Sequence, residues 1–264
     1  MELELNEKIV LVTGGASNIG RSICLNLSRE GAKVIVVDID KEQAEATKEF
    51  IAQVTHNHAE VAICDVSNYD EVKTLFSKLK TQFGKIDVLV NGAGWDQLQY
   101  FTQTDPIFWE KIIKINFLST LNCCSHALPI MISQMSGTII SISSDASKQG
   151  EPKEAVYGAM KAGINSFMKT LARENGRFGI RCNVICPGVT IPESAEEAGQ
   201  KSMWRNIDSM FSEDQLTKIA QTLPLKKLGK PEDIANAVLF LASNKMSGHI
   251  TGQVLSVSGG YSMT

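Results

Sequence analysis

Tyr157 and Lys161 are the two residues of this sequence whose types and spacing point most directly to chemistry. They lie four positions apart in the helical stretch 155–178, so one face of that helix carries both side chains. A base that removes a proton from an alcohol works best when it titrates near the working pH, and free tyrosine, with a pKa of about 10, is too weak. A nearby ammonium stabilises the phenolate form. We therefore expect Lys161 to lower the pKa of Tyr157.

Two further polar residues extend this predicted catalytic set. Ser144 follows an apolar strand-like run and is expected to donate a hydrogen bond to the substrate oxygen. Asn116 is expected to relay protons to solvent through a water molecule beside Lys161. Tyr69 and Lys73 repeat the four-residue spacing but lack comparable polar neighbours, so we interpret that pair as an exposed helix surface.

A glycine-rich turn over residues 13–20 follows the first strand-like run and leads into the helical stretch 21–29. Such a turn lets the backbone approach a pyrophosphate, and the helix N-terminus attracts its negative charge. The alternative is a plain structural turn. Asp38, which ends the second strand-like run, argues against that alternative. A carboxylate there accepts hydrogen bonds from both ribose hydroxyls of NAD and repels the 2′-phosphate of NADP, so we predict NAD as the cofactor. Its positive nicotinamide is expected to act with Lys161 in lowering the pKa of Tyr157.

The remaining predicted cofactor contacts lie where other strand-like runs end. Ligands of open α/β sheets bind outside the carboxyl ends of the strands, where small or polar residues leave room for them. Asp65, for example, is expected to hold the adenine amino group. The full predicted set is Gly14, Ser17, Asn18, Ile19, Gly20, Asp38, Asp65, Val66, Asn91, Ala93, Gly94, Tyr157, Lys161, Pro187, Gly188 and Thr190.

The elements that must position these residues follow a regular alternation of strand-like and helical stretches. The strand-like runs span residues 8–13, 33–38, 60–64, 86–91, 137–143, 180–186 and 253–257. They are rich in Val and Ile and nearly continuous, as in parallel strands covered on both faces. This pattern predicts a single-domain, Rossmann-type, doubly wound parallel sheet of about seven strands over residues 1–264, with helices on both faces. The polar segment 191–222 interrupts the alternation, and we predict that it forms a substrate lid of one or two short helices.

The composition argues against several other classes of protein. Hydrophobic residues make up 43% of the chain, charged residues 21%, and the net charge is −3, which favours neither nucleic acid nor a membrane surface as partner. The apolar runs are strand-sized and the N-terminus lacks a signal-peptide pattern, so we expect a cytoplasmic protein. The six cysteines form no CxxC pair and are expected to be buried thiols. His56 and His58 have no further ligands in view, so no metal site is predicted.

Together these motifs resemble the short-chain dehydrogenase/reductase family over essentially the whole chain. Ser144 precedes Tyr157 by thirteen residues, which is the usual interval in that family. The resemblance implies hydride exchange between a nicotinamide and a secondary alcohol or ketone, and a homotetramer. It also implies a catalytic tetrad of Asn116, Ser144, Tyr157 and Lys161.

The sequence departs from the family pattern at two predicted cofactor contacts. Asn18 stands where the family usually has a glycine, and asparagine tolerates the left-handed backbone that such a position requires. Pro192 stands where many members carry a threonine that binds the nicotinamide amide, and Thr190 is expected to serve instead.

A narrower resemblance concerns the substrate. Gly94-Trp95-Asp96 and Glu154-Ala155-Val156-Tyr157 are similar to the branch of the family that oxidises a cyclic β-hydroxyacyl-CoA, 2-hydroxycyclohexanecarboxyl-CoA. Trp95 is then expected to pack against the substrate ring and Asp145 to touch the substrate. For these two residues, core packing and turn capping are equally open.

Other substrates and roles remain open at this point. Lys201 and Arg205 in the predicted lid are interpreted either as contacts to CoA phosphates or, more simply, as a solvated helix face. The second enzyme hypothesis is a 3-oxoacyl thioester reductase, acting on a CoA or carrier-protein thioester, which a preference for NADPH would favour. A third hypothesis is a non-catalytic NAD(H)-sensing protein, because fold does not dictate function.

Overall fold

The computed structural model describes residues 2–192, 198–199, 202–206 and 211–263. Its named strands form one seven-stranded sheet in the order β3-β2-β1-β4-β5-β6-β7, with parallel pairing throughout. The direction of winding reverses between β1 and β4, which opens a crevice at their carboxyl ends. The predicted Rossmann-type parallel sheet is therefore confirmed. The strands are β1 (Ile9–Thr13), β2 (Lys33–Asp38), β3 (Glu60–Ile63), β4 (Val88–Asn91), β5 (Gly137–Ile142), β6 (Ile180–Pro187) and β7 (Val254–Val257).

Helices cover both faces of this sheet. The α-helices are α1 (Asn18–Arg29), α2 (Lys41–Thr55), α3 (Tyr69–Phe83), α4 (Pro106–Ile113), α5 (Ser119–Gln134), α6 (Ala155–Asn175), α7 (Glu213–Thr222), α8 (Pro231–Ala242) and α9 (Asn244–Ser247). A π-helical turn, Lys114–Leu118, joins α4 to α5. Short 3-10 turns lie at Phe101–Gln103, Asp145–Ser147, Gly176–Phe178 and Met203–Asn206.

Two hydrophobic cores lie on opposite faces of the sheet. On one face, Leu11 of β1 packs in a buried cluster with Met131 of α5 and Ile164 of α6. On the other face, Val10 of β1 belongs to a cluster with Ile23 of α1. Because successive side chains of a strand point to opposite faces, both faces need apolar residues, which explains the nearly continuous apolar runs in the sequence.

Element ends differ from the sequence prediction at several positions. Helix α1 begins at Asn18 rather than at residue 21, so the last three residues of the predicted turn form the first turn of the helix. This early start is possible because Ser17 has an extended backbone, the conformation usual for a helix N-cap. The predicted helix 155–178 is α-helical only to Asn175, and the chain then tightens into a 3-10 turn that ends at the left-handed Gly179.

The predicted lid over 191–222 lies partly outside the described residues. Positions 193–197, 200–201 and 207–210 are not described, and Lys201 is among them. The described part contains the 3-10 turn Met203–Asn206 and α7, which Ser212 and Gln215 cap reciprocally. Short helices therefore occur within the described part of this segment.

One helical stretch bears on the prediction drawn from the apolar runs. The helical stretch Pro106–Gln134 has 29 residues and is long and apolar enough to cross a membrane by length and composition. Within it, Cys123, Ala127 and Met131 of α5 are buried in the core beside the sheet. A core helix passes the same test of length and composition. The six cysteines are all buried and unpaired, as expected.

Candidate active site

A cavity of about 720 Å³ opens at the carboxyl ends of the strands, the place where the sequence predicted the ligands to bind. Most of the predicted site residues line it. These are Gly14, Ser17, Asn18, Ile19, Gly20, Asp38, Asp65, Val66, Ala93, Gly94, Trp95, Ser144, Asp145, Tyr157, Lys161, Pro187, Gly188 and Thr190. Asn91 and Asn116 are the two predicted site residues that do not line it.

The turn after β1 forms a narrow cradle because three backbone segments approach one another closely. Gly14 has a φ of +65°, and a Cβ added to it would lie 2.9 Å from Cα of Ala93 after β4. A Cβ on Gly20 would lie 1.9 Å from the carbonyl oxygen of Gly14, so α1 packs directly on the turn. Asn18 has a φ of +44°, the left-handed conformation expected for it. This glycine cradle at a helix N-terminus fits the pyrophosphate of a dinucleotide.

Asp38 lies at the end of the cavity that would hold the adenosine ribose. Its carboxylate accepts hydrogen bonds from the backbone N–H groups of Ala16 at 3.0 Å, Ile39 at 2.8 Å and Asp40 at 3.0 Å. Burial raises the pKa of Asp38, and the charge of Asp40 adds to this rise, while the backbone hydrogen bonds oppose it. Two carboxylates at this end disfavour a further negative charge such as a 2′-phosphate.

Two predicted cofactor residues near the strand ends differ in their surroundings. Asp65 lines the cavity and accepts hydrogen bonds from the backbone N–H and the hydroxyl of Ser67, at 2.9 and 2.7 Å. Asn91 faces away from the cavity, and its amide donates to Ser141 at 3.2 Å and to the sulfur of Cys124 at 3.5 Å. Its side chain therefore joins β4 to neighbouring elements rather than contacting a ligand in the cavity.

Asn116 lies behind the cavity wall, fully buried in the π-helical turn. Its side-chain amide donates to the carbonyl of Trp95 at 2.7 Å and to that of Ile112 at 3.0 Å, and its oxygen accepts the N–H of Trp95 at 3.2 Å. Isolated π-helical turns often occur at functional sites. Here the turn brings Asn116 against the backbone of Trp95 and fixes the chain where it leaves β4.

Ser144, Tyr157 and Lys161 come together on one wall of the cavity. The Ser144 side chain is a hydrogen-bonding neighbour that acts on the Tyr157 hydroxyl, and the Lys161 ammonium lies 5.5 Å from the centre of the Tyr157 ring. Lys161 is almost fully buried and donates to the carbonyl of Ile142 at 3.0 Å. Gly94 leaves room for this arrangement, because a Cβ on it would lie 3.3 Å from the Lys161 nitrogen. By contrast, Tyr69 lies on α3 and is 52% exposed, as expected for the second pair.

The electrostatics of this wall differ from the expectation for Tyr157. Burial lowers the pKa of Lys161 to about 8, since an ammonium is costly away from water. The pKa of Tyr157 is raised rather than lowered, mainly by burial and then by the charges of Glu154 and Asp96. The hydrogen bond from Ser144 opposes this rise. In the protein by itself, Tyr157 is therefore a proton donor rather than a ready base.

The end of the cavity beyond Tyr157 contains residues that sequence reasoning missed. Asp96, Glu151, Glu154 and Tyr261 line it, and the Tyr261 hydroxyl donates a hydrogen bond to Glu151. Asp96 and Glu154 occurred in the segments that suggested a cyclic substrate, but their separation of 58 positions gives no sign that they meet. Tyr261 is brought in by the segment after β7.

The two predicted substrate residues have different environments. Trp95 lines the cavity, and its ring is covered by the Lys111 ammonium at 3.3 Å and contacted by the edge of Phe108 at 6.1 Å between ring centres. Asp145 is buried, and its carboxylate accepts a hydrogen bond from Ser256 of β7 at 2.7 Å. Asp145 thus has a structural contact, whereas Trp95 presents an aromatic surface to the site.

The other predicted cofactor contacts lie at the end of β6 and just after it. Thr190 is buried and its hydroxyl donates to the carbonyl of Gly188 at 3.1 Å. From the lid segment, Ala198, Gly199, Ser202, Trp204 and Phe211 line the cavity. Arg205 is exposed and is not among the lining residues.

Comparison with known proteins agrees with this fold and site. The sequence profile of the family described as "Enoyl-(Acyl carrier protein) reductase" matches residues 14–262. The chain is 34% identical over 259 residues to the 3-oxoacyl-(acyl-carrier-protein) reductase FabG of Thermotoga maritima, covering 98% of this chain and 99% of that protein. It is 38% identical over 258 residues to the enzyme of the same name from Staphylococcus aureus, covering 97% and 98%.

Solved structures give the same result. Levodione reductase superposes with a TM-score of 0.88 at 26% identity, over 97% of this chain and 98% of that one. A Sinorhizobium meliloti protein named as a short-chain alcohol dehydrogenase gives 0.87 at 28% identity, over 99% and 98%. The chain belongs to the short-chain dehydrogenase/reductase family and is an oxidoreductase of that family.

Proposed function

We propose that this protein is an NAD(H)-dependent reductase that interconverts a 3-oxoacyl thioester and the corresponding 3-hydroxyacyl thioester. The observation that carries the proposal is the convergence of Ser144, Tyr157 and Lys161 in the cavity that the glycine cradle also lines. The names of the relatives support the thioester, because two of them from different bacteria are 3-oxoacyl-(acyl-carrier-protein) reductases. They favour our second hypothesis over the cyclic substrate that we first expected.

The roles proposed for the residues of this cavity wall follow from their positions and their polar groups. Bound nicotinamide supplies or accepts the hydride. Ser144 orients the substrate oxygen, and Tyr157 donates a proton to that oxygen as the carbon accepts hydride. The buried Lys161 ammonium stabilises negative charge on the Tyr157 oxygen after the proton has left. Asn116 acts by fixing the backbone of Trp95, while its proposed part in a water relay stays a prediction.

The cofactor preference is proposed from the residues at the ribose end. Asp38 and Asp40 bring carboxylates there, and the cations among the described lining residues are Lys111, Lys114 and Lys161. Lys161 belongs to the catalytic wall, and Lys111 covers Trp95. We therefore expect NADH to bind more tightly than NADPH.

A cyclic substrate remains a second candidate because of Trp95. Its backbone is held on both sides by Asn116 and its ring lines the cavity, so the indole is a fixed flat surface. Such a surface suits the packing of an alicyclic ring.

The experiment is a substrate and cofactor panel with the purified protein. Acetoacetyl-CoA, an acetoacetyl-carrier-protein thioester and 2-oxocyclohexanecarboxyl-CoA are each assayed with NADH and with NADPH. We expect turnover of the straight-chain thioesters with NADH. Turnover of the cyclic thioester alone would replace the proposal by the second candidate, and NADPH-only activity would overturn the cofactor assignment. Tight NADH binding without turnover of any carbonyl would support the non-catalytic hypothesis.

The assembly and location are also proposals. We expect a homotetramer, as the family resemblance implied, and a cytoplasmic location. Light scattering of the purified protein tests the assembly, and a monomer would contradict it.

A further inference from the structure

Three carboxyl groups from separate parts of the chain meet at the cavity end beyond Tyr157. Asp96 follows β4, while Glu151 and Glu154 precede α6, and all three line the main cavity. Asp96 and Glu154 also share a small adjoining recess with Tyr157. Within the described residues, no lysine, arginine or histidine forms an ion pair with any of the three.

The basic side chains nearest in sequence are engaged elsewhere. The Lys111 ammonium lies over the ring of Trp95, and the Lys153 ammonium lies 5.3 Å from the centre of the Tyr100 ring. Among the described cations, the buried Lys161 is the one whose charge acts on Asp96, through space. None of the three carboxyl groups therefore has a cation of its own, within the described residues, that neutralises its charge.

Of the three carboxyl groups, Asp96 has the least favourable environment for a negative charge. It is 5% exposed, and its Oδ2 atom is buried without a hydrogen-bond partner among the described residues. A buried carboxylate oxygen without a donor is costly, and a second carboxyl group nearby raises that cost. A proton held by the pair removes one of the two negative charges and so lowers this cost.

We propose that Asp96 and Glu154 are positioning residues that act as one proton-sharing pair and keep Tyr157 in its proton-donating form over a wider pH range. The inference rests on the proposed reductase function, in which the Tyr157 hydroxyl gives its proton to the carbonyl oxygen while the carbon accepts hydride. Tyr157 then regains a proton from solvent. The pair therefore changes the pH range of the rate and leaves the overall equilibrium unchanged.

The charges around Tyr157 support this direction. Glu154 and Lys161 face it from α6 and its start, Asp96 from the end of β4, and Cys186 from β6. After burial, Glu154 and then Asp96 contribute most to raising the pKa of Tyr157. Burial raises the pKa of Asp96 to about 6, while burial followed by the charges of Asp96 and Glu151 raises that of Glu154 to about 7. One proton on the pair near neutral pH agrees with both values.

The first test needs neither cofactor nor substrate. Carboxyl carbon NMR of the purified protein follows the titration of Asp96 and Glu154 in the wild type, in Glu154→Gln and in Glu110→Gln. Glu110 is a matched control, because it lines the same cavity but pairs with Lys114. We expect raised midpoints and a lower Asp96 midpoint in Glu154→Gln only. If Asp96 titrates at an ordinary carboxyl pKa and its midpoint does not change in Glu154→Gln, the proposed pair does not exist.

The second test measures the effect on Tyr157. The rate of carbonyl reduction is followed against pH for the wild type, Asp96→Asn, Glu154→Gln and Glu110→Gln. Removing a negative charge lowers the pKa of a neighbouring phenol, so the alkaline loss of activity should move to lower pH by about half a unit or more in the first two variants. The inference would be wrong if the alkaline loss of activity stayed at the same pH in both Asp96→Asn and Glu154→Gln. It would also be wrong if Glu110→Gln shifted that loss by the same amount.

Failure of the proposed function gives a different result. If the wild type reduces no 3-oxoacyl thioester, the reductase proposal fails on its own. The NMR titration still decides whether the pair exists, and the pH profile is then measured with whichever carbonyl compound the substrate panel identifies.

Discussion

The two ends of the cavity differ in whether backbone or side chains form the wall. At the cofactor end the wall is mostly backbone: Gly14 and Gly20 leave no room for a side chain, and Asp38 is held by three backbone N–H groups. At the substrate end the wall consists of side chains from distant segments, such as Asp96, Glu154 and Tyr261.

This difference corresponds to two tasks, binding of the cofactor at one end and substrate selection with proton transfer at the other. A dinucleotide is the same in every turnover, so a fixed backbone cradle serves it, and glycines keep the cradle narrow. Substrate selection and proton transfer depend on charge and on burial, which side chains supply. We expect substitutions at the two ends to separate binding of the cofactor from the rate of reaction.

The largest expected effect is on the rate. Tyr157→Phe removes the hydroxyl that Ser144 contacts and should lower kcat by about 10³-fold, with the dissociation constant of NADH changed less than about threefold. Initial rates and fluorescence titration with NADH measure the two quantities. Tyr69→Phe on α3 is the control, since it is exposed and away from the cavity. Equal activity of Tyr157→Phe and wild type would remove Tyr157 from the chemistry.

A second prediction concerns the stability of the wall between the two ends. The folded protein lowers the pKa of Lys161 to about 8 from an ordinary value of 10.5, so the unfolded chain binds the proton more tightly between these values. The unfolding free energy should therefore rise by about 3 kcal/mol as pH increases from 8 to 10.5, and this contribution should vanish in Lys161→Met.

Urea unfolding at several pH values measures this contribution as the difference between wild type and Lys161→Met, which cancels the titration of other groups. Lys73→Met on the surface of α3 is the control. A pH-independent difference between wild type and Lys161→Met would show that burial of this ammonium is not costly.

A third prediction sharpens the cofactor end. Asp38→Asn keeps the shape of the side chain but removes its charge, so the dissociation constant of NADH should rise about 10-fold to 100-fold. The preference against NADPH should shrink, because the repulsion of a 2′-phosphate is weakened. Fluorescence titrations with both cofactors measure this, with Glu45→Gln on α2 as the control. Unchanged NADH binding would mean that Asp38 does not contact the ribose.

The smallest expected effect concerns the substrate end. Trp95→Ala should change the ratio of kcat/KM for cyclic and straight-chain thioesters by about tenfold, since it removes a flat apolar surface from the cavity. NADH binding should change less than this ratio. Trp109→Ala is a matched control, because Trp109 stacks on Phe101 at 5.6 Å and does not line the cavity. An equal loss for both substrates would show that Trp95 is structural.

The features of the site also divide into those that could be predicted from the sequence and those that could not. The sequence by itself determined the strands, the glycine turn, Asp38 at the end of β2 and the helix face that carries Tyr157 and Lys161. These features depend on neighbours a few positions apart: apolar runs fix strands, glycines fix a turn, and a spacing of four residues fixes a helix face.

Only the tertiary structure decided the remainder. Asn91 turned away from the cavity, Asn116 contacted the Trp95 backbone, and Asp96 came to line one recess with Glu154, 58 positions away in sequence. The raised pKa of Tyr157 follows mainly from burial and then from the charges of Glu154 and Asp96, which together reverse the effect expected from Lys161 alone. Burial and long-range contacts arise only when separate elements pack together, so no local pattern in the sequence reveals them.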